Sequence, residues 1–86
     1  MEQVSVIIPF HNASTYLEQA VVSALDQKEV GEIMLVNDVS SDTSSDIAQR
    51  LMLRYQKVKI ISVNSETPLG PAYARNQGIQ HASYPL

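Results

Sequence analysis

Cysteine is absent from this 86-residue sequence. Disulfide staples, thiolate metal sites and a Cys–His nucleophile are therefore excluded, and a reducing, cytoplasmic setting is expected. Basic clusters are also missing. Six Lys and Arg against nine Asp and Glu give a net charge of −3, and Lys28, Lys57 and Lys59 are scattered along the chain. No patch stands ready to neutralise phosphates, which argues against a nucleic-acid partner. Long apolar runs are lacking too. The longest, Val4 to Phe10, is broken by Ser5 and Pro9 and is far short of the ~20 residues that span a bilayer. The Met1-Glu2-Gln3 start has no basic n-region of a signal peptide. Membrane association would have to come through a longer parent protein. Finally, no Gly-x-Gly-x-x-Gly follows the first apolar run, no Gly-rich loop ends in Lys-Ser/Thr, and no serine occupies a Gly-x-Ser-x-Gly elbow. The dinucleotide fingerprint, the P-loop and the hydrolase nucleophile are thereby excluded.

What is present reads as one α/β unit over residues 1–86. With 44% hydrophobic residues, the chain can build a core, although a domain this small buries only roughly 60–65% of its unfolded surface. Val4 to Ile8 is rich in β-branched residues and predicts a strand, with Pro9 closing it because proline cannot donate to a ladder. Thr15 and Glu18 fit a capping box for a first helix, with Asn12 as a competing cap. Leu17, Ala20, Val21, Ala24 and Leu25 make that helix's apolar face, and Gly31 supplies a break after it. Ile33 to Val36 is a continuous apolar run, as in a parallel strand covered on both faces. A second helix turns Ile47, Ala48, Leu51, Met52 and Tyr55 inward and leaves Asp46 and Arg50 in solvent. A third strand runs from Val58 to Val63. Gly70-Pro71 then opens a third helix. On it Ala72, Asn76 and Ile79 share a face that makes Asn76 partly inward, and Gly78 marks either a local cost or a close backbone approach. The β-α-β-α-β-α order predicts half of a Rossmann-like, three-layer parallel sheet with strand order 3-2-1.

Ligands on such sheets bind beyond the carboxyl ends of the strands. That rule singles out Pro9 to Ala13, Asn37 to Asp42 and Asn64 to Gly70. Asp38 can accept from a ribose hydroxyl or a uracil imide N–H; equally, with Asp42, it can cap the second helix. His11 can stack on a base and Asn12 can bond its edge; the alternative is a turn histidine beside a capping asparagine. Arg75 can pair with a diphosphate or form an ordinary surface ion pair. His81, the only histidine besides His11, falls on or just after the third helix with no carboxylate beside it, and two such residues do not make a metal site. An acidic pair near the end of the first strand would suggest a flavodoxin-like phosphoacceptor domain, but Pro9, Phe10 and His11 stand there.

Three segments in register resemble family-two glycosyltransferases: Ser5-Val6-Ile7-Ile8-Pro9-Phe10-His11-Asn12, Asn37-Asp38-Val39-Ser40-Ser41-Asp42, and Gly70-Pro71-Ala72-Tyr73-Ala74-Arg75-Asn76-Gln77-Gly78. The second is similar to the family's Asn/Asp-Asp-Gly-Ser-x-Asp motif and the third to its Gly-x-x-x-Ala-Arg-Asn-x-Gly helix. The resemblance covers nearly the whole chain. It implies a GT-A fold and transfer of a sugar, with inversion, from a nucleotide-diphosphate donor, UDP-linked by preference, to a glycan or other hydroxyl, as in polysaccharide biosynthesis. It implies a nucleotide site from Pro9, Phe10, His11, Asn12, Asp38, Ser40, Arg75 and Asn76, with Asp38 on the base edge. It also implies Mg²⁺ or Mn²⁺ on an Asp-x-Asp that follows a fourth strand. Ser83-Tyr84-Pro85-Leu86 would approach that strand, so neither metal ligands nor catalytic base are expected here and the isolated chain is expected to be inactive. Its strand-1 edge, open without the fourth strand, is expected to favour self-association; a non-catalytic binding module is the alternative. Val39 departs from the family's glycine; at a positive φ a β-branched valine would be costly, and an extended turn that tolerates it is expected instead.

Overall fold

The computed structural model describes residues 3–85; Met1, Glu2 and Leu86 lie outside the described residues. Three strands and three helices alternate: β1 (Val4–Phe10), α1 (Leu17–Leu25), β2 (Val30–Asn37), α2 (Ser44–Arg54), β3 (Val58–Ser62) and α3 (Pro71–His81). The strands form one parallel sheet in the order β1-β2-β3, the expected 3-2-1 arrangement read from the other edge. β2 lies in the middle because it is the most apolar strand; Ile33, Met34, Leu35 and Val36 are all buried.

Period-two alternation divides these residues between two cores. Ile33 and Leu35 join Phe10, Leu17, Val21, Ala48, Leu51 and Val58 beneath α1 and α2. Met34 and Val36 join Val63 and Ala74 beneath α3, with Ile7 and Ile61 packed against them. The result is three layers, with α1 and α2 on one face of the sheet and α3 on the other.

Several local expectations need correction. β2 starts at Val30, so Gly31 and the buried Glu32 belong to the strand. Pro9 does not close β1 but lies one residue inside it, opposite Val36. It is tolerated because the alternation that turns the Phe10 carbonyl toward β2, where it accepts from the Asp38 N–H at 2.8 Å, turns position 9 toward the outer edge. The Thr15–Glu18 capping box does not form; α1 begins at Leu17 with no side-chain cap. Ala20 and Met52 are exposed, because the buried stripes of α1 and α2 are narrower than the apolar residues suggest.

On α3 the inward residues are Ala74 and Gly78, whereas Ala72, Asn76 and Ile79 face outward. Small size, not hydropathy, selects this face. A β-carbon added at Gly78 would come within 2.5 Å of Ile7 Cγ2 and 3.0 Å of Val36 Cγ2. Gly78 is thus a site of close approach, where the helix backbone rests directly on the sheet.

This contact yields a signed prediction. Alanine at position 78 gains about 1 kcal/mol of intrinsic helix propensity, yet overpacking costs about 1–3 kcal/mol. G78A is expected to be destabilised, with a lower urea midpoint at unchanged slope.

Candidate functional site

The three segments at the carboxyl ends of the strands are tied together by Asp38. Its backbone N–H donates to the Phe10 carbonyl at 2.8 Å, extending the β1–β2 ladder by one rung. Its carbonyl accepts from His11 Nδ1 at 2.9 Å. Its carboxylate, buried at 3% exposure, accepts the Leu69 N–H on Oδ1 at 2.9 Å and the Gly70 N–H on Oδ2 at 2.8 Å. Asp38 therefore does not cap α2. It clamps the loop that enters α3, where the positive end of the helix dipole favours a carboxylate.

The loop geometry explains the residues around it. Gly70 has φ 98° and ψ 161°, a region essentially restricted to glycine, and Pro71 then starts α3 with the φ that its ring fixes. Val39 has φ 55°. The expected extended turn is not adopted: the turn keeps the left-handed conformation that glycine would supply, and a β-branched residue bears a strain of about 1–2 kcal/mol. Asn12 is also left-handed, at φ 53°, which asparagine tolerates.

Asn12 does not cap α1. Its Oδ1 accepts the N–H groups of Ser41 at 2.7 Å and Asp42 at 3.2 Å, while its own N–H donates to Ser40 Oγ at 3.1 Å. Its Nδ2 lies 3.3 Å from His11 Nε2. Since the Asp38 carbonyl can only accept, His11 carries a proton on Nδ1, and Nε2 accepts from Asn12. The imidazole is thus held at both nitrogens on an exposed residue. Ser40 is positioned by its N–H on Asn37 Oδ1 at 3.0 Å. Asp42 closes the network from the other side. It accepts from the Ser44 hydroxyl and, at 2.9 Å, the Ser44 N–H, and from the Ser14 N–H at 3.3 Å. These bonds, those from Ser44 foremost, lower its pKa from the ordinary 3.8 to about 2.

Pro9, Phe10, His11, Asp38 and Pro71 line a cavity of about 170 Å³. Four of these five were among the expected site residues. Pro71 was missed, although the Gly70-Pro71 pair that opens α3 was the signal for it. Asn12 and Ser40 form the rim network behind His11. Phe10, 5% exposed, also packs in the α1/α2 core. Arg75 and Asn76 are exposed on α3 and do not line the cavity. Among the described residues, Arg75 forms no ion pair; the ion pair found there joins Lys59 and Glu32 at 3.2 Å. No group of three His, Cys, Asp or Glu side chains among the described residues could hold a metal. The Asp38 and Asp42 carboxylates already accept from N–H and hydroxyl donors, and no third ligating side chain among the described residues joins them, so these residues do not fit a divalent cation. No helix among the described residues is long and apolar enough to cross a membrane.

Residues 5–86 match the model of glycosyl transferase family 2. The chain is 36% identical over 83 residues to an uncharacterized glycosyltransferase of Haemophilus influenzae, covering 95% of this chain and 32% of that protein. It is 34% identical over 83 residues to the succinoglycan biosynthesis protein ExoU of Rhizobium meliloti, covering 96% of this chain and 24% of that protein. The fold matches that of a mannosyltransferase from Pyrobaculum calidifontis, solved in complex with GDP-Man and Mn²⁺. The TM-score is 0.78 at 23% identity, over 94% of this chain and 24% of that one. The chain thus spans about a third or less of these proteins.

Two measurements check the loop account. At Val39, the left-handed φ favours glycine over alanine, so V39G should be more stable than V39A by about 1 kcal/mol in chemical denaturation. At Asp42, a depressed folded-state pKa means that ionisation stabilises the fold. The advantage of the wild type over D42N should be full above pH 3.8 and fade as the pH falls through about 2, which thermal melts across that range would reveal.

Proposed function

The chain belongs to glycosyl transferase family 2, and we propose that it is the nucleotide-binding part of an enzyme that transfers a sugar from a nucleotide-diphosphate donor, uridine-linked by preference, to an acceptor hydroxyl. The observation that carries this reading is the convergence of Pro9, His11, Asp38 and Pro71 on one cavity at the carboxyl ends of parallel strands, where α/β sheets bind ligands. Two prolines and an imidazole offer flat, rigid walls for a base. The Asp38 carboxylate uses one lone pair on each oxygen for Leu69 and Gly70. The remaining pairs can accept from a base imide N–H or a ribose hydroxyl. Asn12 and Ser40 hold the rim, and the exposed Arg75 and Asn76 are assigned to the donor beyond the base cavity, where a guanidinium can meet diphosphate charge.

In the whole enzyme the acceptor oxygen forms its bond to the anomeric carbon as the bond to the nucleotide diphosphate breaks, with inversion at that carbon. A base takes the acceptor's proton; a bound Mg²⁺ or Mn²⁺, held outside the described residues, would supply charge to offset the leaving diphosphate. The residues of this chain bind and orient the nucleotide; its described carboxylates do not supply the metal ligands. The relative named for succinoglycan biosynthesis favours a role in polysaccharide assembly. Self-association through the outer edge of β1 is the lesser reading, because part of that edge is already engaged by the chain's own Pro85.

Titration with uridine diphosphate, followed by amide NMR shifts, tests the site. Shifts are expected at His11, Asp38 and Gly70, larger than with guanosine or cytidine diphosphate. H11A should weaken binding by about 1–3 kcal/mol, the usual worth of base stacking. Absence of shifts at all three positions with millimolar nucleotide would defeat the proposal. Incubation with donor, Mn²⁺ and acceptor is expected to give no turnover above a protein-free control.

A further inference from the structure

A second polar centre lies at the opposite end of the sheet, independent of the nucleotide reading. Glu32 in β2 is 1% exposed, and its neighbours Ile33 to Val36 are buried and apolar. A carboxylate in such a row is costly unless its lone pairs are used. Here they are. Oε1 accepts from Ser5 Oγ at 2.7 Å and from the Ser83 N–H, and Oε2 accepts from Lys59 Nζ at 3.2 Å. Burial pushes the pKa of Glu32 up, but the bonds from Ser5, Ser83 and Lys59 outweigh it and hold the carboxyl below its ordinary value.

Ser5 extends the contact. Having donated its hydroxyl proton to Glu32, its Oγ accepts the Tyr84 N–H at 3.0 Å, and its backbone N–H donates to the Pro85 carbonyl at 2.8 Å. Three successive residues after α3 are therefore held by one buried carboxylate and the serine bonded to it. Ser83, Tyr84 and Pro85 are all exposed. Tyr84 keeps 41% of its surface exposed, and its ring rests against Gly31, 2.9 Å from where a β-carbon there would stand; the polar bonds supply the rest of the attachment.

The place of attachment matters. The Ser5 N–H points away from β2, so the Pro85 carbonyl forms a first rung on the outer edge of β1. Further along this edge Pro9 has no N–H, which leaves Ile7 as the next donor, without a partner among the described residues.

We propose that Glu32 is a positioning residue, whose buried carboxylate clasps the segment after α3 and sets its register against the outer edge of β1. The role is distinct from that of an ion pair with Lys59, whose side chain is 54% exposed and whose bond goes to the other oxygen.

Amide hydrogen exchange by NMR on the 86-residue protein and its E32Q, K59M and S5A variants tests this. In E32Q, exchange at Ser83, Tyr84 and Ser5 should accelerate about tenfold or more, as charge-assisted bonds are lost, while Leu35 and Val36 in β2 keep their protection. K59M should leave the Ser83 and Tyr84 amides nearly unchanged. S5A should release Tyr84 selectively, and it decides the matter if E32Q does not fold. Unchanged exchange at Ser83 and Tyr84 in E32Q, or at Tyr84 in S5A, would overturn the proposal. So would an equal loss in K59M, which would make the ion pair the cause. A uniform acceleration that includes Leu35 and Val36 would also overturn it, reducing Glu32 to general stabilisation.

Discussion

Asp38 carries hydrogen bonds through every polar group it has. Its N–H and carbonyl join β2 to the end of β1 and to His11, and its two carboxylate oxygens hold the turn before α3. Charge-assisted bonds to backbone N–H groups are among the stronger ones available to a protein, and these act where α3 begins, on the far side of the sheet from α1 and α2. The cavity walls follow from that clamp. Pro71 and His11 line one cavity, and Leu69 and Gly70 are tethered to the residue that also orients the imidazole. Under the proposed function, nucleotide recognition and loop construction would share a single side chain. Loss of that side chain would disturb the shape of the cavity as well as its polarity.

Backbone conformation is the second constraint. The turn after β2 needs a left-handed residue and finds a valine, while the entry to α3 needs a still rarer conformation and finds Gly70. The two positions differ in kind. Open space surrounds a β-carbon at Gly70, so only its dihedral angles demand glycine. At Gly78 the helical dihedrals suit any residue, and only lack of space demands it. The same amino acid answers an angular requirement at one end of α3 and a steric one near the other.

The architecture was legible because each level of the sequence agreed: β-branched runs, helical periodicity and the Gly70-Pro71 helix start all pointed to alternating parallel units. Much of the cavity was legible for the same reason, since strand ends place Pro9, His11 and Asp38 together whatever the details of packing. The misreadings have physical causes. Thr15 and Glu18 have the spacing of a cap, but the loop before α1 bonds instead through Asn12 and Ser14 to Ser40, Ser41 and Asp42 across the site, a long-range choice that local spacing does not record. The inner face of α3 was misjudged because hydropathy favours Ile79 where closeness requires Gly78. Glu32 was overlooked because a carboxylate beside a glycine reads as a turn, whereas period-two alternation through β2 places it on the same face as Met34 and Val36, one layer below the apolar core.

Pro9 has one more consequence. It lines the cavity with its ring and, on the outer edge of β1, presents a backbone nitrogen that cannot donate. Any backbone that lies along this edge finds its last N–H donor within β1 at Ile7, and beyond it only the Pro9 carbonyl remains to accept. A residue that looks like a flaw in a strand thus thins the outer edge of β1 at the point where the strand meets the cavity.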